Sequence, residues 1–153
     1  MSDEAPGLDQ LLCFSVYALG HAFNRIYKPL LGPIGLTYPQ YLVMRCLWER
    51  DEQTVTELGR DLQLESSTLT PLLKRLEASN LLCRQRDDAD ERRVRIRLTA
   101  EGRALRARAA HVPACVGEAA GGERSELLLL TQRLHDLRRQ LDEQGGDATP
   151  AIG

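Results

Sequence analysis

One stretch constrains the chain more than any other: Thr54 to Thr99, TVTELGRDLQLESSTLTPLLKRLEASNLLCRQRDDADERRVRIRLT. Thr56 can cap a short helix that sets Leu58 and Leu62 one turn apart. Glu65-Ser66-Ser67 breaks that helix and offers cap hydroxyls to a second one. The second helix carries Leu69, Leu72, Leu73 and Leu76, the i, i+3, i+4, i+7 stripe of a helix packed on a core. Pro71 lacks an N–H and suits only the start of a helix, so the helix is expected to begin close to Ser67. Asn80, tolerant of the left-handed conformation, is its expected stop. Leu82–Arg86 and Val94–Leu98 then alternate apolar and polar residues with period two, joined by the polar tip Asp87–Arg93.

Helix, helix and a hairpin with a cationic tip predict a winged helix-turn-helix within a mainly α chain. Each piece alone would suit an ordinary surface with solvated charges. Composition, order and spacing agree across the whole stretch, which favours DNA. The first helix braces, the second enters a major groove and the hairpin reaches the neighbouring minor groove. Ser67, Thr68, Thr70 and Lys74 are expected to face the major groove, with Arg75 and Arg84 or Arg86 nearer phosphate. Arg92 is expected in the minor groove, oriented by Asp90 two residues earlier.

The formal net charge of −2 looks wrong for such a role, but it hides a segregation. Between Lys74 and Arg108 eleven cations face six acids, a local excess of five on an otherwise acidic chain. A basic face on a near-neutral body is what phosphate contact requires.

The flanks read as helices. Asp9 is a candidate cap for one over Gly7–Leu31, whose Leu12, Val16, Leu19, Phe23, Ile26 and Leu30 step by four and three; Pro29 and Leu31-Gly32-Pro33 end it. Thr37-Tyr38-Pro39 starts the next helix, with Pro39 in its first turn. Thr99-Ala100-Glu101-Gly102 opens an alanine- and arginine-rich helix, interrupted near Pro113 and broken at Gly121-Gly122. A last helix, Glu123 to about Glu143, carries Leu127, Leu130, Leu134, Leu137 and Leu141 in a heptad seam, and a seam needs a partner.

One domain over 1–153 is expected, with a DNA-binding region at 38–99 and a helical dimerisation region at 8–31 and 100–143. Residues 144–153 form an expected disordered tail. The partner is a second copy: the chain is read as a homodimer. No apolar run approaches the ~20 residues that span a membrane, and MSDEAPG has no apolar signal core, so no membrane contact and a cytoplasmic location are expected.

Four cysteines without a CxxC pair argue against a disulfide framework, a zinc site or a thioredoxin-like motif. His111 and Cys115 stand four apart but lack a second pair at ligand spacing, so neither metal nor cofactor is expected. His21 and His135 read as solvated or satisfied side chains.

With these pieces in place, the chain resembles the MarR family of transcriptional regulators over roughly Leu8 to Leu141. The markers are Asp90-Glu91-Arg92 in the wing and Leu98-Thr99-Ala100-Glu101-Gly102 after it. Within the family it resembles the organic-hydroperoxide sensors of the OhrR type. That narrower likeness rests on Leu12-Cys13-Phe14-Ser15-Val16-Tyr17, on Gly35-Leu36-Thr37-Tyr38-Pro39-Gln40-Tyr41-Leu42-Val43-Met44 and on Ser67 to Glu77. The resemblance implies a dimeric repressor that leaves its operator when the early cysteine is oxidised by an organic hydroperoxide. It also implies that two tyrosines of the partner subunit, at Tyr27 and Tyr38 here, reach Cys13, and that Cys115 matches the resolving cysteine of a two-cysteine subgroup.

The residues themselves are consistent with that chemistry. A thiol attacks peroxide as its thiolate and needs access. Cys13, about one turn into the first helix, lies near the positive end of its dipole, with few cations close in sequence, so hydroxyl donors must help. Tyr17 stands one turn along the same helix, and Phe14, Val16, Leu42 and Met44 could line an apolar pocket for the organic group. A free cysteine is most often a small core hydrophobe. That reading is taken for Cys46 and Cys83, is evenly balanced against a redox role for Cys115, and is set aside for Cys13. Tyr41 is read as core.

Three other functions compete. A MarR-type repressor released by a small aromatic acid would leave Cys13 incidental. A thiol peroxidase using Cys13 and Cys115 would be an enzyme, whereas the sensor has no catalytic residue. An architectural DNA binder would show salt-dependent but sequence-indifferent affinity.

Overall fold

The computed structural model describes residues 6–146. It divides into two compact units, one running to Val116 and one starting at Gly117.

The first unit opens with a 3-10 turn, Leu8–Gln10, followed by helix α1, Leu12–Leu31. Asp9 therefore lies in the turn and is not the cap of α1. Leu11 adopts an extended backbone and stands as the α1 N-cap without a side-chain cap bond. Pro29 does not end α1 but sits in its last turn. Helix α2, Tyr38–Glu49, begins at a reciprocal capping box between Thr37 and Gln40, with Pro39 in the first turn as expected.

Strand β1, Gln53–Thr54, leads into helix α3, Val55–Leu62. The α3 cap is Thr54, not Thr56: Thr54 is the last extended residue, and Glu57, three positions on, closes a second capping box with it. Helix α4, Ser66–Ala78, follows a tight turn through Gln63, which takes a left-handed φ of 55°. Gly59 is needed there, because a Cβ would approach the Leu64 carbonyl oxygen to 2.8 Å. The serines do not cap α4: Glu65 is the N-cap, makes no side-chain cap bond, and leaves Ser66 and Ser67 inside the first turn. Pro71 is the sixth residue of α4, so the Ser67 carbonyl lacks its helical donor. Asn80 stops the chain at φ 57°, the left-handed residue the sequence led one to expect.

Strands β2, Leu82–Arg86, and β3, Val94–Leu98, have the expected bounds and pair antiparallel with Arg84 opposite Ile96. The two-residue β1 adds a third strand on the far side of β3, giving the order β1-β3-β2. Helix α5, Ala100–Arg108, is capped by the Thr99 hydroxyl, which accepts from the Gly102 N–H. Helix α6, Val112–Ala120, has Pro113 in its first turn and carries the chain across the unit boundary.

The core of this unit joins Val43, Met44 and Leu47 of α2, Leu58 of α3, Leu69, Leu73 and Leu76 of α4, Leu82, Ile96 and Leu98 of the sheet, Leu105 of α5 and Val112 of α6. Each such side chain contributes about 1.5–3 kcal/mol by leaving water. The leucine stripe of α4 is thus spent on holding the sheet, and Leu72 is only half-buried.

A compact knot fixes α5 to the end of α4. The Thr99 N–H donates to the Leu81 carbonyl (3.1 Å) and the Thr99 hydroxyl to the Asn80 carbonyl (2.6 Å). The Trp48 indole N–H, from α2, donates to the Gly102 carbonyl at 2.8 Å in a buried position. Trp48→Phe removes the indole donor and leaves that carbonyl to its helical partner alone, which is expected to cost about 0.5–1.5 kcal/mol. Urea denaturation measures it, and a midpoint unchanged from wild type would mean that the bond contributes nothing.

The second unit holds helix α7, Arg124–Gly146, after Gly121 and Gly122, both at positive φ. The helix continues to Gly146, past the expected start of the tail at residue 144; residues 147–153 of that tail lie outside the described residues. Of its heptad leucines, Leu130, Leu134 and Leu141 are exposed. Among the described residues, no helix is long and apolar enough to cross a membrane.

Candidate functional site

The residues expected at DNA occupy two elements. Helix α4 carries Leu69, Leu73 and Leu76 inward, which leaves Ser67, Thr68, Lys74 and Arg75 exposed and Thr70 half-buried. Its apolar stripe explains the exposure: residues at the complementary helical positions have nothing to pack against.

The wing tip is organised by two aspartates. The Asp87 carboxylate accepts from the Ala89 N–H (2.8 Å) and from Arg95 Nε (2.6 Å). The Ala89 N–H and then the Arg95 guanidinium hold this carboxyl below the usual carboxylate range. Asp90 accepts from the Arg92 backbone N–H at 3.1 Å, and its other oxygen lies 3.9 Å from Arg93 Nε. Asp90 therefore orients the Arg92 backbone, while its side-chain ion pair is with Arg93.

The cations of the basic stretch fall into two groups. Arg84 pairs with Glu77 of α4 at 2.8 Å, Arg97 with Glu52 at 3.2 Å and Arg103 with Asp51 at 3.0 Å. Sequence reading missed these partners, because Asp51 and Glu52 lie more than forty positions away with no local pattern to mark them. Among the described residues, six exposed cations of the stretch have no carboxylate within ion-pair distance: Lys74 and Arg75 on α4, Arg86 and Arg92 on the hairpin, and Arg106 and Arg108 on α5. Arg108 donates to the Pro33 carbonyl at 2.9 Å, which leaves its charge uncompensated like the other five.

Cys13 is the second residue of α1, closer to the helix start than the sequence suggested, and it is exposed. The first turn of α1 holds no acidic residue. Tyr17 is also exposed; its ring stacks on Phe14 with centroids at 6.4 Å and meets His21 edge-on at 4.4 Å. Tyr27 and Tyr38 come together: their rings stack at 4.3 Å, Tyr41 lies 5.8 Å from Tyr27, and Trp48 lies 6.3 Å from Tyr41. Burial, and then the neighbouring phenols of Tyr38 and Tyr41, push Tyr27 up to about 12; burial also raises Tyr38 and Tyr41. All three phenols thus remain protonated donors at neutral pH. Native-state stability from Tyr27 is present below the ordinary tyrosine range and lost as pH climbs toward 12. Absorbance titration at 295 nm should show a late phenol that disappears in Tyr27→Phe; a last inflection unchanged in that variant would contradict it.

The cysteine and the tyrosine pair do not meet within one chain. Fourteen residues separate Cys13 from Tyr27 on the same helix, about 21 Å at 1.5 Å per residue. The expected organic pocket does not form on one surface of the chain either, since Met44 is fully buried in the core while Val16 is exposed. Cys115 is half-buried on α6 between buried Val112 and Val116. Burial, then Asp61 and Glu49, push the Cys46 thiol up, which keeps it protonated. Tyr41 is in the core.

A family model described as transcriptional regulator SarA/Rot matches residues 25–108. The HTH-type transcriptional regulator TtmR of Methylorubrum extorquens (strain PA1) is 47% identical over 144 residues, covering 94% of this chain and 74% of its own. The organic hydroperoxide resistance transcriptional regulator of Bacillus subtilis (strain 168) is 41% identical over 135 residues, 84% of this chain and 92% of its own. Among solved structures, reduced AbfR bound to DNA has a TM-score of 0.78 and 35% identity, covering 90% of this chain and 94% of that one. A disulfide-formed AbfR has a TM-score of 0.63 and 38% identity, covering 85% and 91%.

Proposed function

The chain belongs to the SarA/Rot and MarR-type class of winged-helix transcriptional regulators, and from that premise we propose that it is a redox-sensing repressor. As a homodimer in the cytoplasm it binds operator DNA through α4 and the wing, and it leaves the operator when an organic hydroperoxide oxidises Cys13. One observation carries the reading. Cys13 is exposed at the start of α1, and Tyr27, its protonated phenol stacked on that of Tyr38 from α2, lies about 21 Å along the same helix. Only a second copy can bring the donors to the thiol. The exposed Leu12, Val16, Leu19 and Ile26 of α1 and the exposed leucines of α7 supply apolar surface for such a pairing.

The chemistry needs no cofactor. The Cys13 thiolate sulfur attacks the terminal oxygen of the hydroperoxide and the O–O bond breaks. The alkoxide leaves and takes up a proton as the alcohol, and the sulfur becomes a sulfenic acid. A second thiol, from Cys115 of the other subunit or from a small molecule, then attacks that sulfur. A disulfide forms and water departs. Tyr27 and Tyr38, kept protonated by burial, donate to the anionic sulfur of the reduced state and less well to the neutral sulfenic acid. Loss of those bonds frees α1 to move and disturbs the spacing of the two α4 helices, which operator binding requires at one helical turn, roughly 34 Å.

The test uses a duplex selected by the wild-type protein from a randomised pool. Cumene hydroperoxide should release wild type and leave Cys13→Ser bound. Release of Cys13→Ser by peroxide would overturn the sensor reading, and release by an aromatic acid alone would favour a ligand-responsive repressor. A stoichiometry of one hydroperoxide per subunit separates the sensor from a thiol peroxidase, which would consume many.

A further inference from the structure

The sheet pairing between the hairpin and the segment ahead of α3 is short. Strand β1 offers two residues to β3, Gln53 opposite Ile96 and Thr54 opposite Arg95. Side chains supply the remainder. Arg95 spends two donors on protein acceptors: Nε on the Asp87 carboxylate at 2.6 Å and Nη1 on the Glu52 carbonyl at 2.9 Å. Glu52 is held at a left-handed φ of 60°, and the Asp51 carboxylate accepts its N–H at 2.8 Å. The same Asp51 oxygen accepts the Leu98 N–H at 2.9 Å, at the other end of β3. The Arg95 guanidinium therefore spans from the hairpin tip to the residue just ahead of β1 and α3. Asp87 is only 8% exposed although it belongs to a charged surface turn.

We propose that Arg95 and Asp87 are positioning residues that lock the angle of the wing against the helix-turn-helix, so that Arg92 at the tip meets the groove next to the one α4 enters. The proposal rests on the DNA-reading function above. Arg95 counts toward the basic stretch in sequence, yet its two committed N–H groups make it a strut. A planar fork with donors in fixed directions suits this task better than a lysine ammonium would.

Asp87→Asn separates the lock from simple electrostatics by sign. The asparagine carbonyl can still accept the Ala89 N–H, so the turn keeps its internal bond, while the charge that holds Arg95 is gone. Removing a negative charge beside DNA raises affinity if charge alone matters. The lock requires the opposite: Asp87→Asn binds the selected duplex roughly tenfold more weakly, on the scale of one specific contact. It also requires that the loss act through the tip, so Asp87→Asn added to Arg92→Ala weakens binding no further than Arg92→Ala alone. In wild type the Arg95 Nε–H should give a slowly exchanging NMR signal that is lost in Asp87→Asn, with the melting temperature remaining well above the assay temperature. Equal or tighter binding by Asp87→Asn, or losses that multiply in the double variant, would overturn the lock. If wild type selects no duplex, or Arg92→Ala binds as wild type does, it is the DNA-reading function of the wing that fails.

Discussion

Gly102→Ala should be among the most destabilising single substitutions in this chain. A Cβ at Gly102 would fall inside the van der Waals envelope of the Leu81 carbonyl oxygen, 3.0 Å from the Leu81 carbonyl carbon and 3.2 Å from Leu98 Cδ2. Two of those three neighbours are backbone, and the Leu81 carbonyl is fixed by the Thr99 N–H. Relief requires moving the start of α5 off the end of α4, which strains the Trp48 bond to the Gly102 carbonyl as well. Overpacking of this kind costs about 3 kcal/mol, at the upper end of its usual range. For a chain of this size that corresponds to a fall of roughly 10 °C in melting temperature. Gly117→Ala is the control: nothing lies within 4 Å of its Cβ on α6, so a neutral change or a gain of about 0.5–1 kcal/mol is expected. Calorimetry of both variants decides it, and equal melting temperatures would show that the knot yields freely.

The second large effect concerns Cys115. After one equivalent of organic hydroperoxide, non-reducing electrophoresis of wild type should show a covalent dimer, absent from both Cys13→Ser and Cys115→Ser. Moving a two-state regulator from 99:1 to 1:99 takes about 5.5 kcal/mol. A disulfide between subunits, together with the lost tyrosine bonds, is a source of that size. Cys115 stands between buried Val112 and Val116, so its capture of Cys13 requires α6 to open or turn. If wild type never forms the covalent species while Cys115→Ser still leaves DNA, Cys115 is a core thiol and the switch belongs to Cys13 alone.

Much of the architecture could be read from the sequence, for local reasons. Strands β2 and β3 were legible to the residue because each alternates over five positions and a seven-residue polar tip separates them. The left-handed stop at Asn80, the Thr37 cap and the break at Gly121-Gly122 follow from residue chemistry alone. The errors have equally physical sources. Two residues are too few to show a period, so β1 went unseen. Thr54 and Thr56 are equally good caps by composition, and only Glu57 three residues after Thr54 separates them. Ser66 and Ser67 looked like caps, but Glu65 holds the extended backbone. For the candidate site, the basic stretch was legible, but not its division into committed and uncommitted cations. That division depends on Asp51, Glu52 and Glu77, which meet their arginines only after folding.

The separation of Cys13 from Tyr27 along α1 has a consequence for inheritance. If the sensing site draws its thiol from one chain and its phenols from the other, two defective alleles can complement each other. A mixed dimer of one Cys13→Ser chain and one Tyr27→Phe chain retains one wholly intact site, formed by the cysteine of the second chain and the tyrosine of the first. A dimer that pairs a wild-type chain with one carrying both substitutions retains none, although it contains the same number of altered residues. Purified mixed dimers with the two lesions in trans should therefore respond to hydroperoxide where mixed dimers with the lesions in cis do not.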